Sequence, residues 1–306
     1  MNSSPLAEKL KGVKNDEAFV TTKRINMKTT ELEQMSTQVR RDIIRMVHAA
    51  KSGHPGGSLG CADFLTALYF NILNCTPENI SETGQEQDMF FVSNGHISPV
   101  LYSVMARRGY FPVSELATFR FLGTRLQGHP SPKYQLPGIR VASGSLGQGI
   151  SVAVGAALAK KTNQDANLVY VLCGDGELQE GQNWEAIIFA AANKIDNLVL
   201  IVDYNQKQID GSIENVCNLG NLQDKFKAFD WDVIEMQGNV MNDILEQMNE
   251  AKNRTHKSKP IVVIMHTEMG MGVDFMMGTH KWHGSPPNDE QAQNALNQLS
   301  ETIGDF

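Results

Sequence analysis

The sequence predicts an α/β fold, a parallel central sheet with helices on both faces. Leu168–Leu172 and Leu198–Val202 are short apolar runs rich in β-branched and aromatic residues, the pattern of strands buried on both faces. Between them Trp184, Ile187, Ile188 and the alanines 190–192 recur at helical spacing, so strand, helix and strand fill the roughly 30 residues of one βαβ unit. Each run also leads into an oxygen-bearing side chain, Asp175 in Gly174-Asp175-Gly176 and Asn205 in Val202-Asp203-Tyr204-Asn205. Both therefore emerge on the carboxyl edge of one sheet, where open α/β folds bind ligands.

Ahead of this unit, residues 1–29 lack periodicity and are expected to form an arm, with residues 30–306 a single domain. Thr30-Glu31-Leu32-Glu33 reads as a capping box, and Leu32, Met35, Val39, Ile43 and Met46 form the apolar stripe of the helix it opens. That helix stops at Gly53. His54-Pro55-Gly56-Gly57-Ser58 reads as a loop before a second helix, from Cys61 to about Leu73, which is apolar nearly all round and so buried. Asp88–Ser93 is the first strand, ending in Asn94-Gly95-His96, and a helix follows from about Ser98 to Arg107. Residues 109–142 are rich in Gly and Pro, carry Arg120, His129 and Tyr134, and are irregular apart from a short helix after Pro112; long irregular stretches in compact domains tend to be functional.

Gly144-Ser145-Leu146-Gly147-Gln148-Gly149 opens a helix of small residues that reaches about Lys161. Its amino end serves equally well as an anion site or as a tightly packed helix start. Beyond the central unit, Trp231–Met236 and Ile261–Met265 extend the sheet around a helix from about Val240 to Asn253. The glycine-rich stretch 267–287 holds His280 and His283, and an amphipathic tail runs from about Asp289 to Ile303.

Composition narrows the function. A net charge of −7, with no block of Lys or Arg, argues against a nucleic-acid partner. Cys61, Cys75, Cys173 and Cys217 show neither a CxxC pair nor zinc spacing, which fits a reduced, cytoplasmic setting. The amino-terminal residues have no apolar core of a leader, and no stretch reaches the roughly 18 apolar residues of a membrane span.

Asp175 and Asn205 offer hard oxygen ligands to Mg2+ or Ca2+, with a diphosphate filling the remaining positions; the alternative is a solvated Asp-Gly turn and an Asn turn residue. Five of the eight histidines, His54, His96, His129, His280 and His283, fall in Gly/Pro-rich turns that converge at the same edge of the sheet. Neutral imidazoles there would bind phosphate or hydroxyl oxygens and shuttle protons near pH 7. Zinc is disfavoured, since there is no HExxH and His280-x-x-His283 has no evident partner.

From about residue 31 to 290 the chain resembles the amino-terminal, diphosphate-binding part of transketolases, and specifically the smaller subunit of a split, two-gene transketolase. The resemblance rests on Lys51-Ser-Gly-His-Pro-Gly-Gly57, Ser93-Asn-Gly-His96, Gly128-His129-Pro130, Gly144-Ser-Leu-Gly-Gln-Gly149 and Gly174-Asp-Gly176 with Glu180 and Glu185. It continues through Asp203-Tyr-Asn205, Ile209-Asp-Gly211 and Gly278-Thr-His280-Lys-Trp-His283-Gly284. It implies thiamine diphosphate chemistry in carbohydrate metabolism, with Mg2+ (or Ca2+) held by Asp175, Asn205 and the backbone carbonyl of Lys207. It implies a cofactor lined by His96, Gly144, Leu146, Gly176 and His280, a donor sugar met by His54, His129 and His280, and an acceptor phosphate reached by Arg120. Glu180 and Glu185 would lie at a subunit interface, although a first-turn acid favoured by the helix dipole explains them nearly as well.

The chain ends where the diphosphate domain of such enzymes ends, so the pyrimidine-binding domain and its glutamate are expected on a separate, carboxy-terminal subunit, in an α2β2 heterotetramer. The expected reaction is transfer of a two-carbon ketol unit from a ketose to an aldose. The alternatives are the same cofactor chemistry on a modified sugar or a pyruvate-derived acyl group, and a silent regulatory homologue.

Overall fold

The computed structural model describes residues 26–306, so the arm expected over 1–29 lies outside the described residues except for its last positions. Five strands, β1 Met89–Val92, β2 Val169–Gly174, β3 Leu198–Tyr204, β6 Asp232–Gln237 and β7 Ile261–His266, form one parallel sheet in the order β1-β2-β3-β7-β6. The predicted parallel sheet is present, and each predicted strand lies within two residues of an observed one.

Strand register sorts the core into two layers. Phe90, Tyr170, Val199 and Ile261 stand side by side across the strands and share one cluster, while Phe91, Val171, Leu200 and Val262, one residue on, share the other. Side chains alternate across a strand, so an unbroken apolar run feeds both faces at once. The first cluster is covered by α1 (Thr29–Ala50), α2 (Pro55–Gly60), α3 (Ala62–Ala67), α4 (Ser98–Arg108), α9 (Met241–Arg254) and α10 (Asp289–Gln298). The second is covered by α5 (Gly149–Thr162), α6 (Gly181–Ala192) and α8 (Leu222–Ala228).

Helix α1 departs from its predicted start. It begins at Thr29, and the Lys28 N–H donates 2.7 Å to the Glu31 carboxylate, so the reciprocal bond is made by Glu31 and not by Glu33. Its buried stripe carries charge as well as Leu32, Val39 and Ile43. Arg40 makes a two-point pair with Asp63 at 2.5 and 3.0 Å, and Asp42 another with Arg107 at 2.7 and 2.8 Å.

The predicted loop at residues 54–58 is instead the first turn of α2. Pro55 sits at its first position, where a missing N–H costs nothing. Its glycines serve close packing: a Cβ on Gly56 would lie 2.7 Å from Met269 Cγ and 2.8 Å from the Trp282 carbonyl oxygen. The chain then runs through α3 into a π-helical turn at Leu68–Ile72, so the single buried helix expected from Cys61 is segmented. After β3 the chain also forms a two-residue hairpin, β4 (Lys207–Gln208) with β5 (Gly211–Ser212), and a short helix α7 (Ile213–Cys217).

Candidate functional site

Gly174, the last residue of β2, pairs with Asp203 of β3, and the Asp175 N–H donates to the Asp203 carbonyl at 3.1 Å. The two predicted oxygen ligands therefore follow adjacent, registered strands, as their spacing implied. Asp175 is 1% exposed, and its carboxylate accepts N–H bonds from Gly176 (2.7 Å) and Gln206 (2.5 Å). The Asn205 amide donates 2.9 Å to Asp203, and its carbonyl accepts the Lys207 N–H at 2.9 Å.

Burial, and then the neighbouring Asp203, push the Asp175 carboxyl up to about 8. Among the described residues neither acid has an ion-pair partner within 4.0 Å. Two buried carboxyls without a counter-charge among the described residues fit a cation-binding site. No group of three His, Cys, Asp or Glu side chains suited to a metal occurs among the described residues. The donor set here is a carboxylate, an amide carbonyl and the backbone of the β3–β4 turn, the hard-oxygen chemistry of Mg2+ or Ca2+ with phosphate oxygens completing the shell.

Three imidazoles gather beside this edge. The ring centroids of His54 and His96 lie 5.0 Å apart, His96 and His283 5.1 Å, and His54 and His283 5.8 Å. His54 caps α2, His96 follows β1, and His283 comes from the strap after β7, which is fastened by the Gly56 N–H to the Trp282 carbonyl at 3.0 Å. The sequence predicts both histidines of that strap at this edge; the His283 ring meets the others, burial and then the charge of His280 lower its pKa, and the His280 carbonyl accepts the His283 N–H at 2.9 Å. Burial, then the charge of its neighbour His283, pulls His54 down to about 4. Burial likewise depresses His96, His129 and His283, so this is a cluster of neutral imidazoles.

His129 packs against Gly144, whose φ is +136°; a Cβ there would meet the His129 ring at 2.8 Å, so glycine is required on both counts. Arg120 is half-buried, donates to Ser52 Oγ at 3.0 Å, and lies 5.5 Å over the Phe119 ring. No carboxylate pairs with it among the described residues, and burial lowers its pKa. Gly176 leaves space, since a Cβ would come no closer than 3.4 Å to Ile213, and Leu146 is half-buried. Glu180 and Glu185 are exposed at the start and on the outer face of α6.

Residues without a role in the sequence reading complete the site. Glu177 is buried and accepts hydrogen bonds from Ser93, Gly147 and Gly174. The amino end of α5 is thereby answered from inside: Gly147 N–H goes to Glu177 and Gly149 N–H to Ser93 Oγ at 3.0 Å. His54 Nδ1, His283 Nδ1, Asn94 Oδ1 and Ser143 Oγ are buried without hydrogen-bond partners. Buried polar atoms are normally paired, so orphans gathered along one cleft mark a site completed by a ligand.

Residues 32–302 match the family model described as transketolase, thiamine diphosphate binding domain. The chain is 40% identical over 277 residues to a protein from Phocaeicola vulgatus named as one subunit of an apulose-4-phosphate transketolase, covering 90% of this chain and 96% of that one. It is 35% identical over 269 residues to a 6-deoxy-6-sulfo-D-fructose transketolase subunit from a Clostridium species, covering 88% and 96%. The solved transketolase of Campylobacter jejuni superposes with a TM-score of 0.80 at 33% identity, covering 89% of this chain and 43% of that longer one.

Proposed function

Because this chain belongs to the transketolase family through its thiamine diphosphate binding domain, we propose that it is the cofactor-holding subunit of a split transketolase. In this reading residues 30–306 are the diphosphate-binding domain, and a second subunit supplies the pyrimidine-binding domain within an α2β2 assembly. Together they transfer a two-carbon ketol unit from a ketose to an aldose. The observation that carries the reading is the uncompensated buried Asp175 beside Asn205, on registered strand tips next to a cleft of neutral imidazoles.

Bound thiamine diphosphate supplies the electron sink for carbon–carbon bond cleavage, and the protein supplies position and proton handling. Asp175, Asn205 and the backbone carbonyl of Lys207 hold Mg2+ (or Ca2+) against the diphosphate. Gly144, Leu146, Gly176 and His96 line the cofactor. His54, His129 and His283, with His280 at the edge of the group, bind the donor's hydroxyls; neutral at pH 7, each offers one nitrogen as donor and the other as acceptor. Arg120, with no carboxylate of its own, receives an acidic group of the acceptor. Glu180 and Glu185, exposed on α6, meet a neighbouring subunit.

A second reading changes the sugar. Two similar proteins carry the names of apulose 4-phosphate and 6-deoxy-6-sulfo-D-fructose, which supports a modified ketose as substrate. Assays of the chain with its co-purified subunit on ketose phosphates, on modified ketoses and on pyruvate separate these, the ketoses being the expected donors. Asp175→Ala should preserve assembly and weaken thiamine diphosphate binding on the order of 100-fold. Full binding and turnover by this variant would overturn the site.

A further inference from the structure

We propose that Glu177 is a positioning residue for cofactor binding: its carboxylate is the internal anion that fixes the glycine-rich turn 144–149 and the tip of β1 in the shape that receives the diphosphate. The proposal rests on the thiamine diphosphate reading above. Glu177 is 2% exposed and is bonded on both oxygens. One accepts the Ser93 hydroxyl and the Gly147 N–H at 2.7 Å; the other accepts the Gly174 N–H at 3.1 Å. Ser93 relays the hold by accepting the Gly149 N–H at 3.0 Å, and Asn183 of α6 donates to the Glu177 backbone carbonyl at 2.5 Å. One residue thus ties together the ends of β1 and β2, two amides of the turn, and the first turn of α6.

No lysine or arginine pairs with Glu177 among the described residues. Its carboxylate is held by oriented N–H and O–H groups at the amino end of α5, where a helix favours negative charge. The turn has little freedom to choose another arrangement. Gly147 has φ of +85°, with Glu180 Cβ 2.9 Å from where its own Cβ would be, and a Cβ on Gly149 would lie 2.5 Å from Ser93 Cβ. Gly144 and Leu146 belong to this clamped turn, and Asp175 lies in the tight turn after β2 that the Gly174 N–H closes onto the Glu177 carboxylate. Because the amides of Gly147 and Gly149 point inward, the diphosphate is received on surfaces that Glu177 places and not by these amides. Glu177 touches no reacting atom in this scheme.

Glu177→Gln keeps the shape and substitutes an N–H2 donor for one acceptor, so that donors face donors. In the full chain with its co-purified subunit, thiamine diphosphate titrated with Mg2+ by calorimetry should bind this variant about 10-fold or more weakly. Deuterium uptake over 144–149 should rise together with that loss of affinity. If Glu177→Gln does not fold, Ser93→Ala, which removes one donor, should show a smaller shift in both binding and uptake. A folded variant with wild-type affinity, or weaker affinity with unchanged uptake over 144–149, overturns the role. A wild type that binds no thiamine diphosphate defeats the functional reading and the role together, whereas a wild type that binds and a Glu177→Gln that binds equally defeats the role alone.

Discussion

Histidine at an ordinary pKa near 6.5 would be partly charged in a mildly acidic cell, and four imidazoles at one edge would repel one another and any approaching metal. Burial removes that charge: His54, held at about 4, and its depressed neighbours stay neutral where the unfolded chain would protonate. As pH falls from 6.5 toward 4, the unfolded state takes up protons that the folded state refuses, so stability is full above the unfolded value and declines across that window. Arg120, beside His54 and His129, pushes the same way. Asp175, raised to about 8, pushes the opposite way over the same window, so the test is a difference: the shift in urea midpoint on going from pH 7.5 to pH 5 should be less unfavourable in His54→Asn than in the wild type. An identical shift in the two proteins would show that the His54 ring is solvated in solution. At this scale the sequence was only partly legible. The strand tips carrying Asp175 and Asn205 follow from apolar runs, but spacing alone gave no ground for preferring His283 over His280, because which ring turns inward depends on a strap fastened to Gly56 from a distant part of the chain. Glu177 was invisible for a related reason, since its partners Ser93 and Gly147 are brought near only by the sheet.

Glycine was read in the sequence as punctuation, and among the elements that rule failed most clearly at α2. His54–Ser58 contains the residues of a loop, yet its glycines lie within a helix against Met269, Trp282 and Ile97, where any side chain would collide. The predicted buried helix from Cys61 was correct in its burial and wrong in its continuity, because a periodic apolar pattern does not separate an α-turn from the π-turn at Leu68–Ile72. The β4–β5 hairpin is two residues a side and has no period to read. Two glycine substitutions test the packing account against the propensity account. Gly56→Ala meets Met269 and the Trp282 carbonyl and should cost about 1–3 kcal/mol. Gly155→Ala, in the middle of α5 with nothing within 4 Å of the new Cβ, should gain about 0.5–1 kcal/mol. Chemical denaturation of both variants checks the pair, and similar changes of the same sign would show that helix propensity, not close approach, governs these positions.

On the scale of the molecule, the helices covering the first core cluster are sealed, whereas two covering the second are not. Helices α5 and α6 pack against each other and turn Val152, Ile188 and Phe189 outward, at 41%, 50% and 46% exposure, and Gly155 and Ala159 of α5 are exposed as well. Outward apolar side chains on adjacent helices are the kind of surface that protein–protein contacts cover. Glu180 and Glu185 border the same helix, so the face combines an apolar centre with acidic edges. The chain spans 96% of a relative named as a transketolase subunit and 43% of a solved transketolase. Ile188 and Phe189 are only half-covered by this chain, so replacing them by lysine, whose aliphatic stem lies over the same surface, should change folding stability by about 1 kcal/mol or less per site. Light scattering should then report a smaller particle than the wild type at the same concentration, with thermal unfolding nearly unchanged. An unaltered mass would place the contact surface elsewhere, and a matching loss of stability would mean that these side chains serve the core of this chain and not its assembly.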